Sequence, residues 1–505
     1  MFKRVLSIVL VLIMTFSFAS CKKEADETEN SSTSSKTSSS GETTSTGDDA
    51  AMIYVLPEYD ANQFEISGFW APYDISEEGL QEYKDVGFTT LAMINHSLGR
   101  TSEEQFYLGS ERTMKALESC KKVGLNAILN YNDWMAESCE EDGKDYYGET
   151  PFSKHDVYGD YKDIITGIHI CDEPYKDRHI DLYSNMTLIN DFKKVYPNAD
   201  YIVNLIPFTA YASRGFESYD EMMQIYEEKF MEPFGNKSFV SVDVYPFHQD
   251  YTMDDGTLLV NYRYIADSAK KYGIKPGYIL QSSVGGADEG RKEFEMELSE
   301  SDLRWEVYNA LAFGADTLQY YCYSVPKSFD ENGDPVYMYD YCILDRNDNP
   351  SPVYYSLQKI HKEIQSYANV LLAYDWDKTI GISGSVDQTF RISALEYESD
   401  LVTKTSFDGA KNYVSSQGTQ DMIVSHFTSS AYGDAYMFLN WAERGNNNIV
   451  EVQFKDCTAI AIYGGTGFSG EAMIVELDAN GKAVIELEYG EGVLVTPLNK
   501  TAVTK

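Results

Sequence analysis

The chain has 505 residues, 43% of them hydrophobic, with 80 Asp plus Glu against 41 Lys plus Arg and a net charge of −39. That acidity excludes nucleic acid as a partner, and it excludes anionic lipid bound through a surface patch, because like charges repel. The length and apolar content leave room for more than one folded domain.

Residues 1–20 read as a targeting segment: basic Lys3 and Arg4, an apolar run from Val5 to Phe18, then small Ala19 and Ser20 before Cys21. The run is shorter than the roughly 20 residues of a permanent membrane helix. Phe18-Ala19-Ser20-Cys21 resembles a bacterial lipoprotein signal, which implies cleavage before Cys21 and lipidation of that cysteine. An ordinary secreted protein would keep Cys21 as a free thiol. Residues 21–50 are rich in Ser, Thr and acidic residues with little to bury, which predicts a disordered tether. The body is thus expected outside the cytoplasm, held to the bacterial cell membrane through the lipid alone.

From Ile66 to Ser324, strand-like runs alternate with helix-like stretches. The strands end at Gly68-Phe69-Trp70, Ala92 to Asn95, Ile128 to Asn132, His169 to Glu173, Val203 to Leu205, Ser241 to Tyr245, Ile279 to Gln281 and Leu318 to Tyr323. Helical periodicity fills the intervals, as in Glu111 to Val123 and Leu303 to Phe313. Eight such units predict a (β/α)8 TIM barrel over residues 51–378. Beyond residue 379, short alternating runs separated by Gly, Asn and Asp turns predict an antiparallel β-sandwich over 379–505.

Strict alternation along each strand sends one set of side chains to the barrel mouth. That set is Trp70, Asn95, Asn130, Asn132, Glu173, Asn204, Asp243, Tyr245, Gln281, Gln319, Tyr321 and Tyr323, with Asp172 beside Glu173. Amides and aromatic faces converging on one cleft suit a carbohydrate, whose hydroxyls need donors and acceptors. Only Glu173 and Asp243 in the inward set are acidic, and paired carboxylates are what cleaves a glycosidic bond. Apolar neighbours would raise the Glu173 pKa and fit it for the acid role, with Asp243 as second carboxylate or hydroxyl binder. Cysteines and histidines fall in no metal-ligand spacing, so neither metal nor other cofactor is expected, and disulfides and oligomeric state stay open.

Asp172-Glu173-Pro174 on the fourth strand, Asp243-Val244-Tyr245-Pro246-Phe247 on the sixth, Leu280-Gln281-Ser282 on the seventh and Ala310 to Tyr321 into the eighth resemble the clan A (β/α)8 glycoside hydrolases, in particular family 42 β-galactosidase-like proteins. The resemblance implies Glu173 as general acid/base, with Asp172 where the clan has Asn. It also implies a seventh-strand glutamate as nucleophile, where this chain has Gln281. Asp243, Asp288 and Glu289 are the alternatives for that role. His169 to Glu173 is also similar to the family 20 hexosaminidase pattern, which implies Asp172 orienting a substrate acetamide that itself attacks. A third possibility, motivated by Gln281, is a surface lipoprotein that binds sugar without cleaving it.

Overall fold

The computed structural model describes residues 51–94, 106, 110–130, 156–177, 180–184, 190, 193–235, 238–247, 255–285, 297–385, 410–468 and 470–503. Residues 52–503 form one compact unit. Within it, eight strands of the described residues make one parallel sheet. They are β1 (Glu65–Gly68), β2 (Thr90–Ala92), β3 (Asn126–Asn130), β4 (Ile165–Asp172), β5 (Asp200–Leu205), β6 (Ser238–Asp243), β7 (Lys275–Gln281) and β8 (Thr317–Tyr321). Their order is β1-β8-β7-β6-β5-β4-β3-β2. The two ends of that order meet: Thr89 N–H donates to Ile66 O at 3.0 Å and Trp70 N–H to Ile94 O at 3.2 Å. The sheet therefore curls on itself as a barrel, in agreement with the fold expected from the sequence.

Helices cover the outside: α1 (Glu77–Asp85), α2 (Glu111–Val123), α3 (Tyr219–Tyr226), α4 (Asp255–Tyr272), α5 (Glu300–Ala312) and α6 (Pro352–Ser366). The caps follow from the residues at the ends. Ser110 accepts from Thr113 N–H to start α2, and Gly124, at φ +75°, ends it in a conformation that costs a residue with Cβ. Ser299 and Asp302 form a reciprocal capping box on α5. Every α5 residue from Asp302 to Ala312 is buried, so the helix shows almost no polar face. The reason lies in what covers its far side.

That cover is an antiparallel β-sandwich, as expected. One sheet joins β11 (Asp375–Ile382), β13 (Met422–Ser429), β14 (Gly433–Asn440), β19 (Gly492–Leu498), β16 (Ala459–Tyr463) and β17 (Met473–Glu476); the other joins β12 (Tyr413–Gly418), β15 (Asn448–Phe454) and β18 (Lys482–Leu487). A hairpin, β9 (Lys327–Phe329) with β10 (Pro335–Tyr337), precedes them in the chain. Period-two alternation gives the large sheet two buried faces. Val424, Tyr436 and Phe438 pack into the core shared with the small sheet. Ile423, Met437 and Leu439 join the core that contains α5, where Trp305 meets Trp441 with ring centroids 4.8 Å apart. The barrel and the sandwich share that core.

Inside the barrel, Phe69, Ala92, Ile94, Ile128, Ile202, Phe239 and Ile279 form an apolar plug below the mouth. Glycine is needed at 277, because a Cβ there would stand 2.0 Å from the Phe239 ring.

Candidate active site

The fourth strand does not run in strict alternation. A β-bulge between His169 and Cys171 shifts the pairing with β5, so that Asp172 lies opposite Asn204. A bulge adds one residue to one strand and reverses the phase of all that follows. Cys171 therefore turns outward into the main core, and Asp172, not Glu173, takes the inward phase. This corrects the expected route of Glu173 to the mouth.

Asn204 ties the floor of the cleft together. Its Nδ2 donates to Asp172 Oδ1 at 2.9 Å and to Asp243 Oδ1 at 3.0 Å, and its Oδ1 accepts from Ser241 Oγ at 3.0 Å. Two carboxyl oxygens accepting from one nitrogen lie within about 6 Å of each other. Both protons of one amide are thus committed to two acids, which fixes their separation and orientation.

Glu173 reaches the cleft by backbone conformation. It has φ +43°, unusual for a residue with Cβ, and its N–H donates to Asn204 O at 2.9 Å. Such strained positions cluster where function over-determines them. Its Oε2 forms an ion pair with Arg214 Nη2, and both side chains keep about a fifth of their surface in solvent (21% and 20%). Arg214 also donates from Nη1 to the Tyr175 hydroxyl at 2.9 Å, with its guanidinium 4.6 Å from that ring's centroid. Burial works against the Arg214 charge, but Glu173, Tyr175 and Asp172 outweigh it and raise its pKa.

Asp243 is the contrasting acid. Only 9% of it is exposed. Burial, first, and the charges of Glu173 and Asp172, second, push its pKa well above the usual carboxylate range, and the Asn204 hydrogen bond offsets this only in part. Asp172, Glu173 and Asp243 thus share one cleft with Arg214, and Asp243 is the most buried of the three.

Aromatic rings wall the other side. Tyr245 stacks on Tyr321 at 5.4 Å, and Trp70 and Tyr339 meet Tyr321 edge-on at 5.6 and 6.1 Å. Trp70 also sits at positive φ (52°), so each side of the cleft carries one strained residue with a Cβ.

Three expected site residues stand elsewhere. Gln281 is fully buried; its Oε1 accepts from Phe247 N–H at 3.0 Å and its Nε2 donates to Phe247 O and Ser283 O. That amide braces the turn after β6, and it offers nothing to a ligand. Gln319 is equally buried and donates to Ser67 Oγ at 3.3 Å inside the barrel. Tyr323 packs behind the wall against Tyr83 (4.8 Å) and Phe88 (5.7 Å), because β8 ends at Tyr321 and its alternation does not extend further. Asn130 is buried at the end of β3. Asn95, Asn132, Asp288, Glu289 and Cys21 lie outside the described residues. Sequence reasoning missed Arg214, Tyr175 and Tyr339. Arg214 ends a short helical turn (Phe208–Arg214) after β5, and nothing in the local pattern marks it.

No family model matches the chain. No curated protein matches it either. Among solved structures, the chain is similar to one described as a glycoside hydrolase (13% identity, TM-score 0.48, covering 89% of this chain and 97% of that one). It is also similar to a family 5 glycoside hydrolase from Bacteroides vulgatus (11%, 0.47, 86% and 89%) and to a family 39 glycoside hydrolase from Bacteroides cellulosilyticus (11%, 0.44, 88% and 83%). The chemistry rests on the cleft residues above.

Proposed function

We propose that the protein is a lipid-anchored, extracytoplasmic glycoside hydrolase acting on an oligo- or polysaccharide at the barrel mouth. The observation that carries this reading is the pair of unlike carboxyl groups, Asp243 buried with its pKa raised and Glu173 paired with Arg214. Glycosidic cleavage needs one neutral acid and one carboxylate across a single bond. Environments that separate two carboxyl groups in this way also assign their roles.

Asp243 protonates the departing oxygen in this reading. Glu173 attacks the anomeric carbon or takes a proton from the attacking water. The roles are exchanged relative to the family resemblance, because the raised carboxyl pKa expected at Glu173 is found at Asp243, from burial and the neighbouring carboxylates. Tyr245 and Tyr321, both half-buried, offer the aromatic edges and faces on which a sugar ring rests, with the buried Trp70 bracing Tyr321 from behind. Asp172 holds Asn204 at the floor of the cleft.

The inward phase of Asp172 favours a second reading. A carboxylate beside Glu173 could orient a 2-acetamido group that serves as the nucleophile, as in the hexosaminidase resemblance.

The test is a panel of aryl glycosides and oligosaccharides, with and without 2-acetamido groups, given to the protein and to the Glu173→Gln, Asp243→Asn double variant. Hydrolysis by the parent alone supports cleavage. Hydrolysis confined to acetamido sugars selects the second reading. Binding without hydrolysis anywhere in the panel would leave a sugar-capturing lipoprotein.

The anchor has its own test. Cys21→Ala is expected to move the protein from the membrane fraction to the soluble one, and unchanged membrane association would refute lipidation at that residue.

A further inference from the structure

Behind the aromatic wall stand two cysteines that the reaction does not use. Cys322 and Cys342 are both fully buried, 20 positions apart in sequence, and their Sγ atoms are 3.7 Å apart. They share one small core cluster with Trp70, Val325 and Tyr339, against which Tyr245 and Tyr321 pack. The backbone on each side is already fixed. Ile343 N–H donates to Cys322 O at 3.4 Å, and Leu344 N–H donates to Tyr323 O at 2.9 Å. Ser282 Oγ donates to Cys322 O at 3.1 Å, and Ser351 Oγ donates to Cys342 O at 2.6 Å. The two segments therefore lie side by side before any covalent link exists. A disulfide needs its sulfurs at about 2 Å, so closing the bond asks the two Sγ atoms to approach by less than about 2 Å.

We propose that Cys322 and Cys342 are a disulfide-forming pair, oxidised by a low-molecular-weight or protein disulfide as the chain folds. One thiolate attacks the oxidant disulfide, forming a mixed disulfide and releasing one thiol. The second cysteine then attacks the mixed disulfide, releasing the other thiol and closing the Cys322–Cys342 bond. Two electrons pass to the oxidant, and the two protons end on its thiols. The bond closes the loop that carries hairpin β9–β10 together with Tyr337, Met338 and Tyr339. Tyr321 donates from its hydroxyl to Met338 Sδ at 3.5 Å, and Tyr339 packs on the Tyr321 ring. Oxidation would thus pin that side of the cleft as one piece. An oxidising compartment, which the proposed location supplies, is where such a bond persists.

The experiment refolds the full chain in oxidised-plus-reduced glutathione or in reductant alone, then alkylates it in denaturant. Peptide mapping should find Cys322 and Cys342 linked, lighter by two hydrogens and unalkylated, in the oxidised sample only. Closing a loop of this length should raise Tm by roughly 5 °C over the reduced protein. The Cys322→Ser, Cys342→Ser variant should show no difference between the two conditions. Should that variant fail to fold, Cys342→Ala alone must likewise lose the oxidative gain. Both cysteines found alkylated in folded protein recovered from the oxidised mixture, or a link from either to another cysteine, would overturn the proposal.

Discussion

Glu173→Gln is expected to slow glycoside cleavage by about 10⁴–10⁶-fold, the scale of removing a nucleophile or its equivalent. A carboxamide neither attacks an anomeric carbon nor accepts a proton from water. The substitution also leaves the Arg214 guanidinium facing the cleft without its carboxylate, while the Tyr175 contacts still hold it in place. The loss should be nearly independent of the leaving group, because the missing group acts at the other face of the sugar ring. Added azide should restore part of the rate of the truncated Glu173→Ala variant if Glu173 is the nucleophile, by occupying the space the removed carboxylate leaves. Steady-state rates on one active aryl glycoside, with and without azide, read this directly.

Asp243→Asn is expected to behave differently in three respects. Its rate loss should be about 10²–10⁴-fold on natural linkages, typical of a positioned proton donor. The pH dependence of the parent should fall on the alkaline side as Asp243 loses its proton, and this limb should vanish in the variant. Stability should move the other way. A carboxyl group whose folded pKa is raised contributes its full stability below its unfolded value, and that contribution is lost as pH rises through the folded value. Asn titrates nowhere, and its carbonyl oxygen still accepts from Asn204. The variant should therefore gain Tm relative to the parent, and gain more near pH 8 than near pH 4. A variant that is slower and more stable marks a residue kept for chemistry. Thermal melts across pH, beside the rate profile, separate this from a residue that serves structure alone.

Most of the barrel was legible because its signals are local. Each strand is a short run of β-branched and apolar residues, each helix has its own periodicity, and glycines such as Gly124 mark the turns. The sandwich was legible by the same period-two rule. What failed was extrapolation of that rule beyond its domain. The bulge in β4 falls among Ile168, His169, Ile170 and Cys171, all comfortable in a strand, so no Gly or Pro announces it. One inserted residue was enough to turn Asp172 inward and to leave Glu173 to reach the cleft by its own backbone conformation. Tyr323 failed for a related reason, since the ladder stops at Tyr321 and alternation has no meaning past its end. Gln281 shows another limit: burial and three contacts to backbone oxygens and nitrogens are tertiary facts that no spacing encodes. Arg214 is the costliest omission, because its guanidinium is the cationic partner of Glu173 in the cleft.

The chemistry proposed here stands or falls on which acid donates. The measurement is the rate of the Asp243→Asn and Glu173→Gln variants, relative to the parent, over a series of aryl glycosides with increasingly acidic leaving phenols. Asp243 as donor predicts a large loss for Asp243→Asn on poor leaving groups that shrinks toward none on the most acidic phenol, with the Glu173→Gln loss constant across the series. The reverse pattern, a constant loss for Asp243→Asn and a shrinking one for Glu173→Gln, would contradict it.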